Sequence, residues 1–128
     1  MGALEALPEE GRMAQQKECI FCRIARGEVP SEILYRDEKV FVVRDIRPRA
    51  PVHLLIIPLR HIPGPAYVTQ DTEPVVGHLF TVAEEMARRE GLGTRGYRLT
   101  VNVGPDAGQE VHHLHMHLLG GRALGAMG

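Results

Sequence analysis

The sequence predicts an α+β domain in which a five-stranded antiparallel sheet packs with one long helix and one short helix. Two observations support this fold class. Two segments have helical patterns and five have strand patterns, and short turns join most of them. In addition, 44% of the 128 residues are hydrophobic, which is enough to fill the core of one domain without a disulfide scaffold.

Residues 1–17 are predicted to form a flexible N-terminal extension, and the domain spans residues 18–128. The extension is polar and has no sustained periodicity. From Cys19 the pattern becomes that of a short helix, which Gly27 closes before Pro30. The apolar residues of this helix are Ile20, Phe21 and Ile24.

Three strands are predicted next. The segments EILYRDE and KVFVVRDI have strand composition and are expected to form a hairpin around the charged turn Asp37-Glu38. The run over residues 52–57 is continuously apolar apart from His53. This pattern predicts a strand that is covered on both faces.

The long helix is predicted in the segment DTEPVVGHLFTVAEEMARREGLG. Asp71 or Thr72 is the expected N-cap, and Gly91 lies near the end of the helix. The apolar residues follow i, i+3, i+4 spacing and predict one buried stripe, which consists of Val75, Val76, Leu79, Phe80, Ala83, Met86 and Ala87.

Two further strands are predicted in GYRLTVNV and EVHHLHMHLL. The loop GPDAGQ joins them, and its glycines allow backbone amides to approach a ligand closely.

The charge balance argues against two classes of partner. Fifteen basic residues oppose 16 acidic ones, so the net charge is −1, and neither nucleic acid nor an anionic membrane is an expected partner. No apolar run approaches the length of a membrane span, and the first residues lack a signal core. We therefore expect a cytoplasmic protein.

Histidine is the unusual component of this composition. In the last predicted strand His113, His115 and His117 alternate, so they share one face of the sheet. Three alternating residues on a straight strand reach a single metal ion poorly, so divided roles are expected. Neutral and protonated imidazoles suit phosphoryl or nucleotidyl transfer. The simpler alternative is a surface strand with its polar residues outward.

Cys19 and Cys22 form a CxxC pair. In a cytoplasmic protein this spacing favours metal binding or redox chemistry over a structural disulfide. A DNA-binding zinc finger is not expected, because the next histidine in the sequence is His53. The alternative is two reduced cysteines packed as small apolar residues.

The segment HLHMHLL, residues 113–119, resembles the motif of the histidine triad (HIT) superfamily, His-x-His-x-His followed by two apolar residues. The segments VVRDIRPRAPVHLLIIPLRHI and GYRLTVNVGPDAGQEVHHLHMHLLGGR are similar to the Hint branch, the purine nucleoside phosphoramidases. The resemblance extends from about Cys19 to Arg122.

The resemblance implies a HIT-like fold and a hydrolase that cleaves the P–N bond of purine nucleoside 5′-phosphoramidates. His115 would be the nucleophile and form a nucleotidyl-histidine, and His117 would hydrogen-bond the phosphate. His113 and His53 would orient the nucleophile. No organic cofactor is implied.

The same resemblance implies a nucleotide site. Asp45 would bind both ribose hydroxyls. The base would lie between apolar side chains, and the phosphates would meet an amide side chain and the Gly-rich loop. The base-binding residues would be Phe21, Ile24 and Ile46, and the phosphate-binding residues would be Asn102, Gly108 and Gln109.

A structural zinc site and a homodimer are also implied. The zinc ligands would be Cys19, Cys22, His61 and His113. The dimer would continue the sheet, with the tail from Arg122 onward near the site of the partner. His78 and His112 are expected to take no part in the site.

Two alternative functions remain open from the sequence. One is a dinucleoside polyphosphate hydrolase or nucleotidyltransferase on the same scaffold, although His117 stands where the related uridylyltransferases have glutamine. The other is a non-catalytic nucleotide-binding or zinc-stabilised interaction module.

Overall fold

A computed structural model describes residues 19–128, so the extension predicted over residues 1–17 lies outside the described residues. The predicted fold class is confirmed. The helices are α1 (Ile20–Ala25) and α2 (Glu73–Arg89), and the strands are β1 (Ile33–Arg36), β2 (Val40–Arg44), β3 (Val52–Pro58), β4 (Tyr97–Thr100) and β5 (Met116–Gly120). Among residues 19–128, neither helix has the length and apolar character that a membrane crossing requires.

All five strands belong to one antiparallel sheet in the order β1-β2-β3-β5-β4. The central strand is β3, and it pairs with β5 so that Leu55 lies opposite His117. This register places the end of the histidine motif between two other strands, because Thr100 of β4 pairs with His117 from the other side.

The last two strands are shorter than predicted. The strand β4 ends at Thr100 instead of residue 103, and β5 begins at Met116 instead of residue 110. The reason is a change of partner, because the segment before β5 contacts the chain that follows β3. There the amide of Leu114 donates a hydrogen bond to the carbonyl of Ile62, with a donor–acceptor distance of 2.6 Å.

Both faces of the sheet are covered. On one face, α2 packs over a cluster that includes Leu114, Met116 and Leu118. On the other face, α1 packs its buried residues over a second cluster, which contains Phe41, Val43, Leu55 and Ile57. Burying each large apolar side chain contributes roughly 1.5–3 kcal/mol, so the short helix is held mainly by this packing.

The buried stripe of α2 differs from the prediction at Phe80 and Val82. Phe80 was expected to be buried, but it is 55% exposed, and Val82 is buried instead. Relative to the prediction, the face of α2 that packs on the sheet is therefore turned away from Phe80 and toward Val82. Thr72 precedes the helix as predicted, but its hydroxyl bonds to Thr69 instead of capping the first turn of α2.

The turn after β5 requires glycine. Gly121 has a φ of +98°, which L side chains rarely adopt, and a Cβ at this position would lie 2.9 Å from the Cβ of Pro51. The turn brings the following residue to the loop between β2 and β3. Arg122 donates a hydrogen bond of 2.8 Å to the main-chain carbonyl of Arg49.

Asp37 connects the β1–β2 turn to α2. Burial raises the pKa of its carboxyl group, but hydrogen bonds to the charged form lower it further, so the pKa lies well below the usual range. The donors are the ring of His78 at 2.6 Å, the amides of Lys39 and Val40, and the hydroxyl of Tyr35. His78, which was expected to be incidental to the site, therefore has a structural contact.

We predict that Asp37→Ala lowers the free energy of unfolding by about 2 kcal/mol at neutral pH, because it leaves these donors without their acceptor. The exposed neighbour Glu38 provides a control, and Glu38→Ala should change the stability by less than about 0.5 kcal/mol. Denaturant unfolding of the three proteins measures both differences.

The contribution of Asp37 to the free energy of unfolding depends on pH in a predictable direction. The pKa of Asp37 is lower in the folded than in the unfolded state, so its contribution is present above about pH 4 and is lost as the pH falls further. The stability gap between wild type and Asp37→Ala should therefore narrow in acid. A gap that widens there would contradict this role.

Candidate active site

A cavity of about 380 Å³ lies between α1, the turn after β2 and the segment that precedes β5. The structure brings nine of the residues predicted for the site to its walls. They are Phe21, Ile24, Asp45, Ile46, Asn102, Gly108, Gln109, His115 and His117. Of the four predicted catalytic histidines, His53 and His113 lie behind the walls and are buried.

His115 presents one unoccupied ring nitrogen. Its Nδ1 donates a hydrogen bond of 2.7 Å to the main-chain carbonyl of His113. Its Nε2 has no hydrogen-bond partner among the described residues, and the ring lines the cavity. Burial lowers the pKa of His115, although the bond to His113 opposes the shift, so the ring is neutral near pH 7. A neutral imidazole with a free Nε2 is a nucleophile.

His117 lies beside His115, with the two ring centroids 5.0 Å apart. Burial, together with the nearby His115 and His53 rings, lowers the pKa of His117 to about 4. Its Nδ1 is 2.9 Å from Nε2 of His53. The structure therefore places His53 against His117, whereas the sequence resemblance implied that His53 orients the nucleophile.

Asp45 follows β2 and turns its carboxylate toward the cavity. One oxygen accepts a hydrogen bond of 2.8 Å from the amide of Arg47, and the other lies 3.4 Å from Nε2 of His53. The amide of Asp45 also bonds to the carbonyl of His53 at 2.9 Å. These bonds fix the carboxylate at the junction of β2 and β3.

The apolar residues predicted to hold a base differ in exposure. Phe21 is buried and packs edge-on against the rings of His113 and His115, so it also belongs to the core. Ile46 is 91% exposed at the cavity rim.

The main-chain amides of the Gly-rich loop donate hydrogen bonds to carbonyls of the same loop. The amide of Gly108 donates to the carbonyl of Pro105 at 3.0 Å, and that of Gln109 donates to Gly104 at 3.1 Å. The Gln109 side chain accepts from the amide of Gly104 and donates to Val111. Contact between these amides and phosphate therefore requires the turn bonds to be shared or broken.

Three arginines at the cavity wall were not identified from the sequence. Arg44, Arg47 and Arg49 all line the cavity, and Arg44 is paired with Glu90 at 2.7 Å. The segment RDIRPR contains all three arginines, but only the turn after β2 brings their charges to one wall of the cavity. An anion in the cavity would thus meet guanidinium groups as well as imidazoles.

A second cluster lies behind His115 and joins α1 to the segment before β5. Its ligand atoms all lie within 4.8 Å of one another, and they come from Cys19, Cys22, His61 and His113. Nδ1 of His113 is 3.2 Å from Sγ of Cys19, and Nδ1 of His61 is 3.2 Å from Sγ of Cys22.

The donor chemistry of this cluster fits a metal ion. Nε2 of His113 donates to the carbonyl of Pro58 at 2.8 Å, so its Nδ1 lone pair points at the two thiols. Burial raises the pKa of the Cys22 thiol to about 12, so a thiolate there requires a cation. Two sulfurs and two imidazoles, mostly buried, are a set that binds Zn²⁺ tetrahedrally. The cluster has the composition of a structural metal site.

His112, expected to be incidental, does not line the cavity that contains His115. It lines an adjoining cavity of about 430 Å³ with Cys19 and His61. His112 is exposed in the irregular segment before β5.

Comparisons with known proteins match most of the chain. The family model described as HIT domain matches residues 26–124. The purine nucleoside phosphoramidase of Escherichia coli (strain K12) is 50% identical over 111 residues, which are 87% of this chain and 93% of that protein.

Solved structures show the same fold. A HIT family hydrolase from Legionella pneumophila is 46% identical with a TM-score of 0.80, covering 83% of this chain and 95% of that one. A HIT family hydrolase from Clostridium thermocellum is 42% identical with a TM-score of 0.83, covering 87% of this chain and 96% of that one.

Proposed function

This chain belongs to the histidine triad (HIT) family, and we propose that it hydrolyses the P–N bond of purine nucleoside 5′-phosphoramidates. The identity of 50% to a purine nucleoside phosphoramidase supports the substrate class. The geometry of His115 supports the reaction type, because its Nε2 is free and faces the cavity while its Nδ1 is bonded to a main-chain carbonyl.

The reaction proceeds in two displacements. First, Nε2 of His115 attacks the α-phosphorus, the P–N bond to the amine breaks, and a nucleotidyl-histidine forms. Water then attacks the same phosphorus and the bond to His115 breaks. In the overall reaction, water supplies the hydroxyl group on phosphorus and the proton on the amine, and the products are a nucleoside monophosphate and an amine.

The hydrogen bond to His113 has a catalytic purpose in this proposal. The imidazole gains positive charge when its Nε2 bonds to phosphorus, and the main-chain carbonyl at 2.7 Å stabilises the Nδ1–H that carries part of this charge. His117 lies beside the reacting nitrogen and contacts the phosphoryl group.

Residues on the cavity wall hold the nucleotide. Asp45 accepts hydrogen bonds from the ribose hydroxyls, since a carboxylate matches a cis-diol. The base packs against Ile46 at the rim, with Phe21 and Ile24 beneath it. Asn102 binds a phosphate oxygen, and Gly108 with Gln109 forms the wall beside it.

Zinc occupies the cysteine and histidine cluster in this proposal. All four positions of a tetrahedral ion would be filled by Cys19, Cys22, His61 and His113, which leaves none for substrate and makes the metal structural. It would tie α1 to the segment that carries the nucleophile. A cytoplasmic location is part of the proposal, because reducing conditions keep the thiols available to the metal.

A homodimer is proposed from the edge of the sheet. The strand β4 is an edge strand, and the exposed apolar residues Val101 and Val103 follow it. The C-terminal tail lies beside this edge, where Arg98 donates to the carbonyl of Gly125 at 3.1 Å. A second copy would cover both the open edge and the apolar residues.

We predict that His115→Ala lowers the rate of AMP release from an adenosine phosphoramidate by at least about 10³-fold, because the nucleophile is lost. His112→Ala is the matched control, since this residue lies outside the catalytic cavity. Equal rates for wild type and His115→Ala would exclude the proposed nucleophile. Faster cleavage of a dinucleoside polyphosphate by the wild type would favour the alternative substrate class.

The zinc proposal predicts about one zinc per chain in protein that is purified without added metal. His61→Ala removes one ligand and should lower the zinc content, whereas His112→Ala should not. Elemental analysis of the three proteins measures this. Less than about 0.2 zinc per wild-type chain would exclude a resident structural ion.

The dimer proposal predicts elution at about twice the chain mass of 14.2 kDa. Val103→Asp places a charge among the apolar residues at the edge and should shift the protein toward the monomer. Sizing with light scattering measures both masses, and a wild-type protein at 14.2 kDa would contradict the proposal.

A further inference from the structure

Three groups form a chain of hydrogen bonds that begins in the turn after β2 and ends at the cavity. The amide of Arg49 donates to Nδ1 of His53 at 3.1 Å. Nε2 of His53 is 2.9 Å from Nδ1 of His117. The first donor is the main-chain amide of Arg49, and the last ring, that of His117, lines the cavity. The amide therefore sets the direction in which each hydrogen bond of the chain is donated.

A main-chain amide is always a donor. Nδ1 of His53 must therefore be the acceptor, because a proton on it would face the amide proton of Arg49 across 3.1 Å. A neutral imidazole holds one proton, and in His53 that proton is consequently on Nε2. His53 is 3% exposed, and burial lowers its pKa, which keeps the ring neutral near pH 7.

The same argument applies to the next ring. Nε2–H of His53 donates to Nδ1 of His117, so the single proton of neutral His117 is on its Nε2. We infer that the main-chain amide of Arg49, acting through His53, holds His117 as the Nε2–H tautomer and makes it a hydrogen-bond donor toward the cavity.

The charges around His117 are compatible with its neutral form. Its neighbours are the rings of His115 and His53, the carboxylate of Asp45 and the guanidinium of Arg49. Asp45 accepts more weakly from His53 than His117 does, since its nearer oxygen is 3.4 Å from Nε2.

Two residues that are adjacent on one face thus have opposite tautomers. His115 carries its proton on Nδ1 and presents a lone pair, whereas His117 carries its proton on Nε2 and presents a donor. One ring can attack phosphorus while the other donates to a non-bridging phosphoryl oxygen without losing its proton. This use of the donor rests on the proposed function, but the tautomer does not.

This chain of hydrogen bonds also bears on whether Asp45, His53 and His117 can bind a metal ion. Their ligand atoms lie close enough to hold a metal ion. A metal on Nε2 of His53 would move the ring proton to Nδ1, where it would oppose the amide of Arg49. These three side chains therefore form a hydrogen-bonded unit and leave no lone pair on His53 for a metal.

The direct test is ¹⁵N NMR of the wild-type protein with labelled histidine, at neutral pH and without substrate. The expected spectrum shows protonated Nε2 and unprotonated Nδ1 for His53 and His117, and the reverse for His115. A protonated Nδ1 on His117 would overturn the inference. Absence of P–N hydrolysis would instead overturn the proposed function and leave this spectrum unchanged.

Two pairs of variants test the source of the tautomer. Arg49→Pro removes the amide proton, whereas Arg49→Ala removes only the side chain. Likewise His53→Phe removes the donor to His117, whereas His53→Gln retains an amide donor of similar reach. The Nδ1 signal of His117 should move toward that of a mixed-tautomer imidazole in the first member of each pair only.

Kinetics give an independent readout with the same variants. His53→Phe should lower kcat for an adenosine phosphoramidate by at least about tenfold with a smaller effect on KM, and His53→Gln should recover most of the loss. If His53→Phe and Arg49→Pro both fold and leave the His117 signals unchanged, the inference is wrong.

Discussion

The hydrogen bond from Nε2 of His113 to the carbonyl of Pro58 holds a fully buried imidazole where the sheet, the short helix and His115 meet. Because this bond places the proton on Nε2, Nδ1 carries a lone pair, and this lone pair faces Sγ of Cys19. The main-chain carbonyl of His113 in turn accepts the proton of His115. A buried ring without such partners would cost about 1–3 kcal/mol, so the fold and the catalytic geometry depend on the same contacts.

Burial gives the histidines the protonation that the proposed chemistry needs. It lowers the pKa of His113 and His117 to about 4, and main-chain groups then decide which nitrogen holds the remaining proton. The positive charge that an anionic substrate needs comes from Arg47 and Arg49 at the cavity wall. Asp45 and Glu110 line the same cavity, so these arginines act on an anion through local contacts and not through an excess of positive charge.

Local patterns predicted the fold, because periodicity and turn residues identify strands and helices without reference to distant contacts. Nine of the cavity residues were predicted by motif and resemblance. What the sequence did not reveal depends on contacts between distant segments. The bond from Leu114 to Ile62 delays the start of β5 to Met116. The bond between His53 and His117 places His53 against His117 instead of against the ring of His115. The exposure of Phe80 likewise depends on how α2 rotates against the sheet.

The central claim is that His115 forms a covalent bond to the nucleotide, and the stereochemistry at phosphorus tests it most directly. The measurement uses a single diastereomer of an adenosine 5′-phosphorothioamidate, hydrolysed in ¹⁸O-labelled water. Two in-line displacements, the first by His115 and the second by water, each invert the phosphorus centre. The account therefore predicts net retention in the product. Net inversion would mean that water attacks the substrate directly, and it would contradict the covalent mechanism.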